Sequence, residues 1–125
     1  MGGAGVEATT SMSCVSISNT PSRFVAVEST GAYAEFVLTR SGDVSSNGIV
    51  CVSWSGVARL GIDYNAVSYV GFGPGQVTSV LRVRPIQDGI VEGYESVYCK
   101  LEYYRPGAGI GYLDTLRNAT CYIHD

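Results

Sequence analysis

The sequence predicts an all-β domain built as two packed sheets, with about seven strands. Three observations carry this. Apolar and polar residues alternate over short stretches, the period of a half-buried strand. Glycine is abundant, 16 of 125 residues, and turn-forming clusters recur between the stretches. No heptad or long helical apolar stripe competes, although 46% of residues are hydrophobic. The length suits one domain with one core.

Residues 1–13 are small, Gly-rich and largely unpatterned, and read as an N-terminal arm ahead of a sandwich spanning 14–125. Cys14-Val15-Ser16-Ile17 is a short alternating strand. Asn19-Thr20-Pro21-Ser22 interrupts it and Phe24-Val25-Ala26-Val27 resumes it; Ser29-Thr30-Gly31 is a turn. Residues 33–40 form a clear strand with Ala34, Phe36 and Leu38 facing one way. After a loop, residues 49–54 give the next strand. A loop with Gly56 and Gly61 then leads to Asp63-Tyr64, read as a structural corner. Residues 67–72 form a strand closed by the turn Gly73-Pro74-Gly75, and residues 77–84 form another. Gln87-Asp88-Gly89 breaks that strand, and the chain passes the acids Asp88, Glu92 and Glu95 before a strand near 96–103. Residues 107–111 read as a Gly-alternating loop, and residues 119–123 as the last strand.

Composition excludes several function classes. Net charge is -3 with pI near 5.0, the opposite of a basic nucleic-acid footprint, so no nucleic-acid partner is expected. No run approaches the length of a membrane span, so no membrane insertion is expected. The first residues lack the charged and apolar regions of a secretion signal, and synthesis in a cytoplasm is expected. Charged residues make up only 15%, the basic residues are seven Arg and Lys100 alone, and there are nine Tyr. That balance is the composition of protein interfaces.

Cys14, Cys51, Cys99 and Cys121 have no C-x-x-C spacing, which argues against a thiolate metal centre. Cys51, Cys99 and Cys121 sit at apolar alternation positions and read as buried free thiols; a cross-strand disulfide stays open. No catalytic residue is assigned and no enzyme is expected. His124 is the one histidine, and no nucleophile elbow, zinc helix or phosphate loop is present. Gly107-Ala108-Gly109-Ile110-Gly111 does not fit a dinucleotide fingerprint.

Several local patterns fall into a known order. Ala26-Val27-Glu28 precedes a turn and the strand through Glu35-Phe36-Val37-Leu38-Thr39-Arg40-Ser41-Gly42. Then come Ser53-Trp54-Ser55-Gly56, Gly61-Ile62-Asp63-Tyr64, Gly71-Phe72-Gly73-Pro74-Gly75-Gln76, Ile86-Gln87-Asp88-Gly89-Ile90-Val91-Glu92-Gly93-Tyr94-Glu95 and Ala119-Thr120-Cys121-Tyr122-Ile123-His124-Asp125. This resembles the Calx-β domain, the immunoglobulin-like sandwich module of sodium–calcium exchangers, of an integrin cytoplasmic region and of many bacterial surface proteins. The resemblance covers roughly residues 14–125.

It implies a calcium site in which carboxylates converge at one end of the sandwich. Glu28, Asp88, Glu92 and Asp125 match such metal positions, while Ser55, Gln87 and Gly89 stand where binding members carry acids. The implied site is thinned. Calcium takes six to eight oxygens at about 2.3–2.6 Å. Four carboxylates with the Ser55 hydroxyl, the Gln87 amide and waters would meet that count.

For function, a lone domain beginning at Met1 with few charges suggests a repeating, non-enzymatic subunit of a larger assembly. The expectation is a virion decoration, cement or accessory structural protein in a homo-oligomer or capsid lattice, on a virion or cell-surface assembly. The alternative is a calcium-binding module of a longer adhesion or exchanger-like protein. A third reading is a carbohydrate-binding sandwich using Trp54 and surface tyrosines.

Overall fold

The computed structural model describes residues 12–87, Gly89 and residues 93–125. The described chain is all-β. Its ten strands are β1 (Met12–Asn19), β2 (Val25–Val27), β3 (Ala34–Gly42), β4 (Gly48–Ser55), β5 (Tyr64–Asn65), β6 (Tyr69–Phe72), β7 (Thr78–Pro85), β8 (Glu95–Pro106), β9 (Ile110–Leu113) and β10 (Asn118–His124). Odd-numbered strands form one sheet in the order β5-β7-β3-β1-β9, and even-numbered strands the other in the order β2-β10-β8-β4-β6.

The count exceeds the expected seven for a physical reason. β2, β5, β6 and β9 have three, two, four and four residues, too few for alternation to declare itself. β9 falls partly in the stretch read as a loop and pairs parallel to β1. Gly111 lets β9 lie close over Tyr104 of β8, because a Cβ there would lie 2.7 Å from the Tyr104 ring. β1 opens at Met12, within the stretch read as the arm; residues 1–11 lie outside the described residues.

The core follows from alternation along the long strands. β3 turns Ala34, Phe36 and Leu38 inward, and β8 does the same with Val97, Cys99 and Leu101. β1, β7 and β10 add Val15 and Ile17, Leu81 and Val83, and Cys121 and Ile123. In β4 the inward residues are Val50 and Val52, while Ile49 lies half exposed on the outer face. Cys51 shares that outer face, partly exposed, which corrects its assignment to the core. Its strand is apolar at both alternation phases, so sequence alone did not fix the phase. Cys99 and Cys121 are buried as expected, and all four cysteines are free thiols. A bulge in β4–β8 pairing between Cys51 and Val52 leaves Glu102 out of register, where it accepts the Ser53 hydroxyl at 2.6 Å.

Strand directions set which loops share an end. Parallel pairing puts Val27 of β2 opposite His124 of β10, and antiparallel pairing puts Ile123 opposite Glu95. Ser55 closes β4 opposite Tyr98, and Tyr64 pairs with Pro85. The segment after β2, the segment after β4 and the described ends of the β7–β8 connection therefore lie at the end of the sandwich where β10 finishes.

Candidate functional site

Glu28 follows β2 directly. Its amide donates to the His124 carbonyl at 2.8 Å, extending the β2–β10 ladder by one bond. That bond holds Glu28 beside Asp125, the next residue of the partner strand. Glu28 is buried at 5% exposure, rare for a carboxylate and far drier than a surface acid. The turn after it closes on Gly31, whose amide donates to the Val27 carbonyl at 2.9 Å. The Ser29 hydroxyl lies 3.5 Å from the Asp125 carbonyl.

Asp125 is tied from the other side. The Gly93 amide donates to its Oδ2 at 2.8 Å, anchoring the far end of the β7–β8 connection to the end of β10. The next residue, Tyr94, sets its ring 4.3 Å from that of His124. His124 thus serves as a stacking partner. Two of the four residues assigned to the metal site, Glu28 and Asp125, follow the paired ends of β2 and β10; Asp88 and Glu92 lie outside the described residues. Glu95 is the first residue of β8, and Ser55 is exposed at the end of β4.

The donor set at this end is all oxygen, as a hard cation such as calcium requires. Among the described residues alone, no group of three or more His, Cys, Asp or Glu side chains is arranged to hold a metal ion.

The loop after β4 is built as a corner. The Asp63 carboxylate accepts the Arg59 amide at 2.7 Å, and the Val57 and Ala58 amides donate to the Ser96 hydroxyl and carbonyl. Tyr64 is fully buried and meets Trp54 edge-on at 5.8 Å. Trp54 is not a free sugar platform: it packs against the core, and its indole N–H is spent on the Val67 carbonyl at 2.9 Å. Burial first, then the neighbouring Cys121, Cys99 and Asp63, pushes the Tyr64 phenol up to about 12.

Sequence reading missed one buried arginine and one arginine cluster. At the opposite end, Arg40 is buried at 1% exposure and donates to the carbonyls of Gln76, Val44 and Gly73, each at 2.9 Å. Its guanidinium also lies over the Phe72 ring at 5.0 Å and 3.4 Å from the Tyr104 hydroxyl. The signal was present: Arg40 continues the Ala34, Phe36, Leu38 phase. The cluster gathers Arg23, Arg82 and Arg84 around the Tyr33 ring at 4.4, 5.0 and 5.4 Å. Arg82 and Arg84 alternate on the solvent face of β7, again legible from the period of two.

No protein-family model matches the chain, and no curated protein is a significant sequence match. Solved structures do match. The apo-form Calx CBD1 domain is 26% identical at TM-score 0.68, covering 89% of this chain and 96% of that one. The calcium binding domain CBD12 of CALX1.1 is 26% identical at TM-score 0.68 over 87% of this chain, which spans 44% of that longer chain. The Calx CBD2 domain, 12% identical, shares the fold at TM-score 0.68 over 90% of this chain.

Proposed function

Given a chain with the Calx-β-like fold, we propose that it is a non-enzymatic calcium-binding module, its site at the end where β2 and β10 finish. The observation that carries this is the seating of Glu28 and Asp125 on neighbouring strand ends, in a fold similar to a calcium binding domain. Carboxylate oxygens gathered at one end of a sandwich are the ligands a hard cation such as calcium takes. Asp88 and Glu92, which the sequence assigns to the same set, belong to the connection whose Gly93 amide bonds Asp125. The similar structures favour this reading over a virion decoration role, which none of them supports.

Thermal melting of chelator-treated protein with and without calcium tests it. At calcium a hundredfold above Kd, binding stabilises the folded state by about 2.7 kcal/mol, and the melting temperature rises by several degrees. Magnesium, which demands a tighter octahedron, gives a smaller rise. Glu28→Gln and Asp125→Asn each abolish most of the calcium-dependent rise. Equal melting temperatures with and without calcium would overturn the proposal.

A further inference from the structure

We propose that the open edge of β7 binds an extended acidic peptide as an added strand. The inference stands apart from the calcium reading and rests on different residues.

β7 pairs with β3 on one side from Thr78 to Val83, and with β5 on the other only at Arg84 and Pro85. The Arg40 amide donates to the Val77 carbonyl at 2.8 Å, which fixes the phase of the β3–β7 ladder. Ser79, Leu81 and Val83 then direct their backbone groups to β3, and Val80 and Arg82 direct theirs away. On that side Val80 and Arg82 have no backbone partner among the described residues. The chain leaves the edge after Asn65 because it crosses to the other sheet. The Ser68 carbonyl accepts the Val52 amide at 2.9 Å, and the Val67 carbonyl accepts the Trp54 indole. That departure opens a groove of about 360 Å³ lined by Asn65, Ala66, Val67, Val80, Arg82 and Arg84. It runs beside the unpaired stretch of β7.

Charge names the occupant. Arg23, Arg82 and Arg84 crowd one tyrosine ring, and Glu35, 3.2 Å from Arg82, is the one carboxylate that pairs with them among the described residues. Three guanidiniums against one carboxylate make a positive patch on a chain of net charge -3. Asn65 holds the place opposite Arg84, so an added strand ends beside Arg82: it sets side chains about 5 Å from Val80 and Arg82 and leaves Arg84 within diagonal reach. A carboxylate opposite Arg82 forms charge-assisted pairs with the two arginines, while Val80, 40% exposed, takes an apolar neighbour. Backbone bonding to Val80 and Arg82 supplies the rest, the usual logic of strand addition.

Fluorescence anisotropy with a labelled peptide repeating Val-Thr-Glu-Thr, which sets valine and glutamate alternately along one face, tests the proposal. Three companions complete it: the same peptide with lysine for glutamate, the same peptide N-methylated at the amides facing β7, and the double variant Arg82→Gln, Arg84→Gln. The acidic peptide binds, and binds less tightly as salt rises. The lysine peptide does not bind. N-methylation and the double variant each weaken binding by about tenfold or more, with the melting temperature of the variant little changed. The proposal is overturned if the acidic peptide fails to bind, or if it binds equally after N-methylation or to the double variant. A dimer of the chain that the double variant dissolves would assign the edge to a second copy and overturn it as well.

Discussion

Arg40 is the residue on which one end of the sandwich closes. Its guanidinium bridges the loop before β4, the turn before β7 and Tyr104 of β8, which in turn bonds the Ser13 hydroxyl at 2.8 Å. Arg40→Ala removes three hydrogen bonds and a fully buried side chain, leaves the Gln76 carbonyl without its donor while those of Val44 and Gly73 keep the Gly75 and Gln76 amides, and is expected to destabilise by on the order of 3 kcal/mol in denaturant unfolding. Tyr64 is the contrary case. Its hydroxyl is buried with no hydrogen-bond partner among the described residues. Tyr64→Phe keeps the ring contacts with Trp54 and removes the orphan oxygen, so stability stays level or rises by about 1 kcal/mol. The buried thiols set an alkaline limit. Burial, with Cys121 acting on Cys99, pushes both from the ordinary 9.0 up to about 12. A folded-state pKa above the unfolded one means stability is complete below pH 9.0 and is lost as pH rises toward about 12. Unfolding measured across that window shows a falling stability. The double variant Cys99→Ala, Cys121→Ala has a shallower fall, whatever its cavity costs at neutral pH.

At the scale of elements, the long strands were legible and the short ones were not. β3, β7 and β8 carry eight or more residues of alternation, enough to show phase as well as type. β5 and β9 owe their pairing to neighbours, and their own residues say little. β4 shows a further limit: four consecutive apolar residues make a strand plain and its inward face ambiguous. The corner after β4 was legible through its glycines and Asp63. Gly56 has φ of 112°, and a Cβ there would lie 2.5 Å from the Ser96 carbonyl. Gly56→Ala therefore strains the backbone and pushes β4 from β8, and is expected to lower stability by about 2 kcal/mol in thermal or urea unfolding. The connection between β7 and β8 is the element on which the site depends. Its return is fixed by the Gly93 amide on Asp125, and its carboxylates Asp88 and Glu92 lie outside the described residues.

For the whole molecule, the order of motifs carried more than any single motif. The Glu28 element, the Asp63-Tyr64 corner and the final strand gave the sandwich and its likeness together. They also put Glu28 and Asp125 at one end, since β2 and β10 run parallel and finish together. Partners were less legible, because low charge and abundant tyrosine say that surfaces meet without saying where. The β7 edge became visible only once β5 was seen to leave it after two residues. The central claim is a calcium site formed where β2, β10 and the β7–β8 connection meet. Isothermal titration of calcium into chelator-treated protein tests it most directly. The account predicts heat that saturates with calcium and is largely lost in the double variant Glu28→Gln, Asp125→Asn. A titration with no heat of binding, or one unchanged in that variant, would contradict it.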